Sequence, residues 1–274
     1  MINQDVQVHT SFSDGLNSIQ EVVEAFIGAG IKSVVITDHA KGWKTKEDKT
    51  FEFFPNIERF EDYINQINFA KKKYGRFINI LSGLEVEINI EGKPKLDQGV
   101  LDYTNKHGVK KYGLDVLLGS IHSESFEEDC HERNIDHSRK RNFLIENTLN
   151  LIKNKEIDVF AHPFQAVHGQ FSSNFTQEET DLIIDTIIKE QLSGHKIFIE
   201  INGKRYPMYE QWSYNKYEKG ELETHDVIFL HLYKMRGGKF VLGSDAHSIR
   251  GLTETDFSVL DRLSLKESEI FTFS

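Results

Sequence analysis

The sequence predicts an α/β fold in which seven parallel strands, covered by helices, close into a barrel. Short apolar segments alternate with amphipathic ones seven times, and each connection is long enough to cross back to a parallel neighbour. In addition, histidines and carboxylates follow six of the seven predicted strands. Only a closed ring brings so many strand ends to one mouth, whereas an open sheet concentrates its site at one switch point. We therefore predict a barrel formed by one domain over residues 1–274.

The predicted strands are short apolar runs that end at glycine or at polar turn residues. In chain order they are 5–9, 33–37, 77–81, 116–119, 158–161, 197–202 and 239–242. The first helix opens at Ser18, which has capping-box spacing to Glu21, and Gly30 ends it. The later helices, with apolar residues at helical spacing, are near 57–74, 140–154, 177–192 and 224–236. The tail, 263–274, is predicted to form a short capped helix and an extended end.

The composition is that of an ordinary globular protein, with 38% hydrophobic and 28% charged residues. We find no apolar run near the roughly 18 residues of a membrane span and no signal-peptide pattern, so we expect no membrane contact. The one cysteine, Cys130, cannot form an internal disulfide, and a cytoplasmic location is expected. The net charge of −10 disfavours a broad nucleic-acid footprint, although bound metals can attract small anions locally.

The candidate functional residues are polar groups at or just after strand ends. They are His9, Asp14, His39, Glu85, His122, His162, Asp245 and His247. Asp245 and His247 show the pattern most simply, because side chains two residues apart on an extended backbone face the same side. Burying so many imidazoles and carboxylates at one end of a barrel is costly unless they are paired or metal-bound. The pattern therefore predicts a multinuclear metal centre.

Seven short motifs occur in a characteristic order along the chain. They are His9-Thr10-x-x-Ser13-Asp14-Gly15, Thr37-Asp38-His39, Gly83-x-Glu85, Ser120-Ile121-His122, His162-Pro163, Glu200-x-Asn202 and Gly243-Ser244-Asp245-Ala246-His247. In this order and spacing they resemble the PHP (polymerase and histidinol phosphatase) family, from about residue 5 to 250. The resemblance implies a distorted (β/α)7 barrel that uses two or three Mn, Zn or Fe ions to hydrolyse phosphate esters.

The resemblance also implies roles for individual residues. The implied ligand sets are His9, Glu85 and Asp245 for a first metal, Glu85, His122 and His162 for a second, and Asp14, His39 and His247 for a third. The chemistry that fits these groups is metal-assisted hydrolysis, in which the ions acidify a water and neutralise phosphate oxygens. His39 and Asp245 are the candidates for the acid that protonates the leaving alkoxide.

The first motif departs from the family pattern, which usually has His-x-His where this chain has Gln7-Val8-His9. Gln7 faces the same side as His9, and its amide oxygen can bind a hard ion. Neutral oxygen is nevertheless a poorer ligand than imidazole for Zn or Fe. Three hypotheses follow: Gln7 is a weak ligand that biases the first metal toward Mn or Mg, the first metal is absent, or the chain is a degraded or altered member of the family.

Three further residues are candidate substrate contacts. Asn202 ends the sixth predicted strand, and Arg205, three residues later, can grip phosphate through two hydrogen bonds. The alternative for Arg205 is a solvated surface side chain. His168 lies six residues past His162, where some histidinol phosphatases that resemble this chain place an arginine.

Our leading interpretation of function is a metal-dependent phosphatase for a small phosphomonoester, of which L-histidinol phosphate is the obvious example. A phosphodiesterase or 3'-5' exonuclease is the alternative, because aromatic residues between 206 and 217 could stack on bases. Nucleic acid therefore stays open as a partner despite the acidic charge. A third interpretation is a non-catalytic remnant, since Gln7 replaces a usual ligand. The sequence does not address the oligomeric state.

Overall fold

The protein's structure, a computed structural model, describes residues 3–42, 51–171, 173–203, 219–253, 255, 257 and 259–274. Its strands are β1 (Gln4–Val8), β2 (Ser33–Ile36), β3 (Asn79–Ile88), β4 (Pro94–Lys95), β5 (Val116–Ser120), β6 (Val159–Phe160), β7 (Phe198–Asn202) and β8 (Phe240–Gly243). Its helices are α1 (Ile19–Gly28), α2 (Ile57–Tyr74), α3 (Gln98–His107), α4 (Ser123–Glu132), α5 (Lys140–Lys153), α6 (Gln165–Gln170), α7 (Gln177–Leu192), α8 (Lys219–Met235), α9 (Ile249–Thr253) and α10 (Val259–Leu263). Within these ranges no helix is both long and apolar enough to cross a membrane.

Seven of these strands form one parallel sheet that curls into a nearly closed barrel. Their order is β1-β2-β3-β5-β6-β7-β8, and the short β4 pairs antiparallel with β3. The outer strands β1 and β8 meet again near their C-terminal ends, where Val8 forms a parallel bridge with Ala246. There the amide of His9 donates to the Ala246 carbonyl at 3.0 Å. The predicted barrel of parallel strands alternating with helices is confirmed.

A buried carboxylate, that of Asp5, adds hydrogen bonds where β1 and β8 meet. Asp5 Oδ1 accepts hydrogen bonds from the amides of Gln7, at 3.1 Å, and Ser244, at 3.0 Å. Burial raises the pKa of Asp5 to about 6, against the effect of the hydrogen bonds from Ser244 and Gln7. The register between β1 and β2 also shifts between Asp5 and Val8. Such a bulge lets neighbouring side chains face the same side.

The structure differs from the sequence prediction in the third strand. β3 runs on to Ile88, so Glu85 lies inside the strand, in register with Leu118 of β5, and not at its end as expected. The extended part of β3 pairs with β5 from Gly83 to Glu87, and β4 adds a short antiparallel pairing at Glu87 and Ile88. After β5, where the sequence predicted no helix before 140, the chain forms the helix α4, which buries Phe126 and Cys130 one turn apart.

The barrel interior holds an apolar layer toward the N-terminal ends of the strands. Each parallel strand contributes to it, through Val6, Val35, Leu81, Val116, Leu118, Val159, Ala161, Phe198 and Val241. A larger apolar core includes buried side chains of α1 and α2, such as Phe26 and Tyr63. Because residues two apart on a strand face the same side, the next inward positions are Glu200 on β7 and Gly243 on β8. The interior therefore changes from apolar to polar toward the C-terminal ends.

The C-terminal residues cover the apolar end of the barrel. The amide of Phe271 donates to the Phe240 carbonyl at 2.7 Å, and its ring stacks on Phe198 with centroids 4.1 Å apart. Gln4 of β1 donates from Nε2 to the Phe273 carbonyl at 2.9 Å and accepts from the Phe273 amide at 2.8 Å. Both phenylalanines of this tail pack against the interior apolar layer. The tail thus joins β8 to β1 at the end opposite the Val8–Ala246 bridge.

We expect Phe271→Ala to lower the free energy of unfolding by about 1–3 kcal/mol, because it removes a partly buried aromatic side chain from the apolar end of the barrel. Thr272→Ala is the matched control: Thr272 is exposed, and its loss should change stability by no more than about 0.5 kcal/mol. Denaturant titration of both variants measures the difference. Equal small effects would show that the tail does not help to close the barrel.

Candidate metal centre

The residues predicted to bind metal converge at the C-terminal ends of the parallel strands. Seven of them form two groups, and within each group the potential ligand atoms lie within 4.8 Å of one another. The first cluster is His9, Asp14, His39 and His247, and the second cluster is Glu85, His122 and His162. All but Asp14 and Glu85 follow a strand by one to four residues. The barrel therefore brings together side chains that are up to about 240 residues apart in sequence.

Asp14 lies among the three histidines of the first cluster. Its Oδ2 is 3.1 Å from His247 Nε2, and its Oδ1 is 3.8 Å from both His39 Nε2 and His9 Nδ1. The rings of His9 and His247 stack with centroids 4.2 Å apart. One carboxylate with three imidazoles is a ligand set that suits Zn, Mn or Fe.

Glu85 faces both clusters, with a different oxygen toward each. Its Oε1 lies 2.9 Å from His162 Nε2 and 3.2 Å from His122 Nε2. Its Oε2 lies 3.3 Å from His9 Nε2 and 3.6 Å from His39 Nδ1. The Glu85 residue is only 2% exposed. A buried carboxylate in this position can bridge two ions.

Asp245 adds a third carboxylate at the edge of the first cluster. Its Oδ1 is 3.3 Å from His9 Nε2 and 3.6 Å from His247 Nδ1. The backbone of Asp245 has φ 53°, and that of His162 has φ 28°, both in the left-handed region. Such conformations cost about 1–3 kcal/mol each in residues with a side chain and are concentrated at functional sites. The strain at both positions is therefore consistent with a site that requires these side-chain directions.

The polar groups fit divalent metal ions. Both ring nitrogens of His9 are buried, and neither makes a hydrogen bond of good geometry within the described part of the chain. A buried polar atom left in this way costs about 1–3 kcal/mol. A metal ion binds the lone pair of a neutral imidazole, and the adjacent carboxylates balance its positive charge. Ion binding would therefore satisfy groups that the protein alone leaves unsatisfied.

Burial and neighbouring charges shift the pKa values of the cluster residues in different directions. Burial tends to lower the pKa of His9, but the carboxylates of Asp245 and Glu85 outweigh it and raise that pKa well above 6.5. Burial lowers the pKa of His39 to about 4. Burial tends to raise the pKa of Glu85, but nearby histidines, first His39, hold it well below its usual range. At neutral pH the His39 ring is neutral, which suits metal binding and argues against its predicted role as an acid.

Glu87 supports the second cluster and was not identified from the sequence. Its Oε1 contacts His122 Nδ1, so that Nε2 of the same ring is directed toward Glu85. A carboxylate behind a ligating histidine fixes the tautomer and raises the basicity of the ring. The signal was available, because Glu87 is two residues after Glu85 on one strand and faces the same side.

Asp38 holds the loop that carries Asp14. Its carboxylate accepts hydrogen bonds from the amides of Thr10, at 2.8 Å, and Ser13, at 3.0 Å. Asp38 is fully buried, and burial raises its pKa despite these hydrogen bonds. The sequence motif contained Asp38, but its position beside His39 gave no indication of a structural role.

The structure locates three of the remaining candidate residues. Gln7 Nε2 donates to Glu85 Oε2 at 2.8 Å, and Asn202 Nδ2 donates to Gln7 Oε1 at 3.3 Å. His168 Nε2 lies 3.1 Å from the buried Asp226 Oδ1. The ligand role of Gln7 and the substrate roles of Asn202 and His168 stay predictions. Arg205 lies outside the described residues.

Comparison with known proteins identifies the family. Residues 5–204 match the family model of the PHP domain. The chain belongs to the PHP domain family. The resemblance inferred from the seven motifs is thereby confirmed, and membership supports metal-dependent phosphoesterase chemistry at the level of the family.

Individual relatives differ in how much of this PHP chain they match. DNA polymerase/3'-5' exonuclease PolX of Bacillus subtilis (strain 168) is 26% identical over 286 residues, which cover 98% of this chain and 41% of that protein. A protein described as "Probable histidinol-phosphatase" of Schizosaccharomyces pombe is 29% identical over 114 residues, 38% of this chain and 33% of that protein. The chain thus spans about two fifths of the length of the first relative and a third of the second.

A solved structure shows the same fold as the PHP chain. Histidinol phosphate phosphatase from Lactococcus lactis, complexed with zinc, L-histidinol and phosphate, superposes with a TM-score of 0.61. The superposition covers 99% of this chain and 97% of that one, at 18% identity. At this identity the likeness establishes the fold alone.

We expect Glu85→Gln to weaken binding of two ions and Asp14→Asn to weaken binding of one. Glu85 faces both clusters, whereas Asp14 contacts only histidines of the first cluster. Each affected ion should bind at least about tenfold more weakly. Zn²⁺ titration of the metal-free proteins against a competing chelator resolves the two binding steps. Loss of both ions in Asp14→Asn would contradict the division into two clusters.

We expect metal binding at pH 7 to release at least one proton per protein. The pKa of His9 is raised well above 6.5, so the ring carries a proton that an ion must displace. His39, with a pKa of about 4, should contribute none. Apparent affinity should therefore rise as pH increases from 6.5 upward. A pH indicator in weakly buffered solution measures the release on addition of Zn²⁺, and no release at pH 7 would refute the protonated His9.

Proposed function

We propose that the chain is a metal-dependent phosphoesterase that hydrolyses a small phosphomonoester. The observation that supports this most is the position of Glu85, whose two oxygens face the histidines of two clusters. The two clusters would each hold an ion beside this carboxylate, and paired ions would supply the positive charge that phosphoryl transfer requires. His39, His122 and His247 are partly exposed, so both clusters have side chains that solvent can reach.

The residues that would hold ions are those of the two clusters, with Asp245 at the edge of the first. Bound there, divalent ions would acidify a water and neutralise phosphate oxygens. Glu85 and Asp14 supply negative charge to the ions, and Glu87 orients the His122 ring by its contact with Nδ1. Asp38 keeps Asp14 in reach by fixing the amides of its loop.

Asp245 is the better of the two candidates for the group that handles the leaving-group proton. His39 has a pKa of about 4 and is neutral at working pH, which leaves it as a ligand. Asp245 lies at the edge of the first cluster, 3.3 Å from His9, and is 7% exposed. A carboxylate at the edge of a metal pair can take a proton from the attacking water and pass it to a leaving alkoxide that the ions do not hold.

L-histidinol phosphate is the first substrate to test. The Lactococcus lactis protein of the same fold was crystallised with zinc, L-histidinol and phosphate, an alcohol and an anion that together correspond to the products of such a hydrolysis. This supports a pocket in the fold that accommodates a small alcohol beside phosphate. We therefore propose L-histidinol phosphate as a substrate of this chain.

A second candidate is a 3'-5' exonuclease or related phosphodiesterase. The observation that favours it is the PolX match, which covers 98% of this chain, whereas the S. pombe match covers 38%. Acting on a strand would require contacts to several phosphates and bases. Binding of a short single strand that weakens steeply with salt would support this candidate.

We expect the metal-loaded protein to cleave p-nitrophenyl phosphate with a kcat/KM at least about tenfold above that for bis(p-nitrophenyl) phosphate. The two esters share a leaving group, so the comparison isolates the number of ester bonds at phosphorus. L-Histidinol phosphate and a single-stranded oligonucleotide extend the panel. Phosphate or nitrophenolate release with Mn²⁺ or Zn²⁺ is the measurement.

Asp245→Asn is the control for the panel, with an expected loss of about 100-fold or more in kcat. Faster cleavage of the diester, or release of nucleotides from the oligonucleotide, would replace the monoesterase by the second candidate. If metal-loaded protein cleaves none of these esters, the result would contradict both enzyme candidates and favour the non-catalytic interpretation.

A further inference from the structure

Gln7 is buried beneath the two clusters, and both ends of its amide are engaged. The residue has no exposed surface. Its Nε2 donates to Glu85 Oε2 at 2.8 Å, and its Oε1 accepts from Asn202 Nδ2 at 3.3 Å. Asn202 Nδ2 also donates to Glu200 Oε2 at 3.3 Å. A chain of amides and carboxylates thus crosses the barrel interior from β3 through β1 to β7.

The partners determine which way the Gln7 amide points. Turning the amide over would set its oxygen against the Glu85 carboxylate, where two acceptors meet. It would also set its NH2 group against the NH2 group of Asn202, where two donors meet. Only the observed orientation pairs a donor with an acceptor at both ends. The amide nitrogen therefore faces Glu85 and the amide oxygen faces away from it.

An amide binds a metal ion through its oxygen, because the NH2 group has no lone pair to offer. The oxygen of Gln7 is directed to Asn202, and the group directed to the clusters is a hydrogen-bond donor. We propose that Gln7 is not a metal ligand but a positioning residue, which holds Glu85 in place by donating a hydrogen bond to its Oε2.

This role follows from what Glu85 must do. A carboxylate that faces two clusters needs a fixed torsion, since rotation by a few tens of degrees would move one oxygen away from its histidines. Gln7 holds Oε2 from below while His162 lies against Oε1 at 2.9 Å. Partners behind a ligand typically change metal affinity by 10–100-fold when removed, without removing a coordination bond.

The test replaces Gln7 by methionine, which has similar length but can neither donate to Glu85 nor offer an amide oxygen. Gln4→Met is the matched control, because Gln4 lies on the same strand, is buried, and donates from Nε2 to Ser33 Oγ at 2.7 Å, away from the clusters. Bound Zn²⁺ is counted by elemental analysis, and affinities are measured by chelator competition. The readout is metal binding, so it does not depend on whether a phosphoester is cleaved.

We expect Gln7→Met to bind the same number of ions as the parent protein, with the affinity of at least one lowered by about tenfold. Gln4→Met should keep the parent number and affinity. Loss of one whole ion in Gln7→Met would overturn the proposal, because it would make Gln7 a ligand. Unchanged affinity in Gln7→Met, or an equal loss in Gln4→Met, would overturn it too, since neither is consistent with a specific action on Glu85.

Discussion

The centre of this protein depends on one carboxylate buried inside a barrel. An ionised carboxylate cannot be transferred from water to an interior unless donors or positive charge surround it. Glu85 meets this requirement through imidazoles on both oxygens and the Gln7 amide on Oε2. These groups lie on β1 or directly follow β1, β2, β5 and β6, so several strands of the sheet have to come together before Glu85 is compensated. Fold and site are therefore formed by the same contacts.

The sequence predicted what depends on local pattern. Strand ends are marked by a change from apolar to polar residues, and this found His9, His39, His122, His162 and the Asp245–His247 pair. It did not predict that Glu85 projects from within β3, because β3 continues past Glu85 through its pairing with β5, which the local sequence does not reveal. Two positioning residues, Glu87 and Asp38, were not predicted, because each acts on a residue from another strand or loop.

Closure of the barrel was predicted, but the means of closure were not. At one end β1 and β8 share the Val8–Ala246 bridge, and at the other the tail connects them through Gln4 and Phe273. The Gln4–Phe273 contacts join residues that lie 269 positions apart. A contact at this separation cannot be predicted from sequence periodicity. Gln4 lies in a segment that resembles an ordinary strand, and Phe273 lies in one that resembles an extended tail.

The layer beneath the clusters holds a further acid, Glu200. Glu200 is buried at 1% exposure, and burial, with a further contribution from the charge of Asp245, raises its pKa well above the usual value. Burial thus favours the neutral form of Glu200, whereas Asp14, Glu85 and Asp245 lie beside the histidines of the centre. The Glu200 side chain fits only because β8 has glycine at 243, where a Cβ would lie 1.8 Å from Glu200 Oε1. Gly243 thus contributes to the centre through the space it leaves, since a side chain at this position would displace the buried carboxyl group of Glu200.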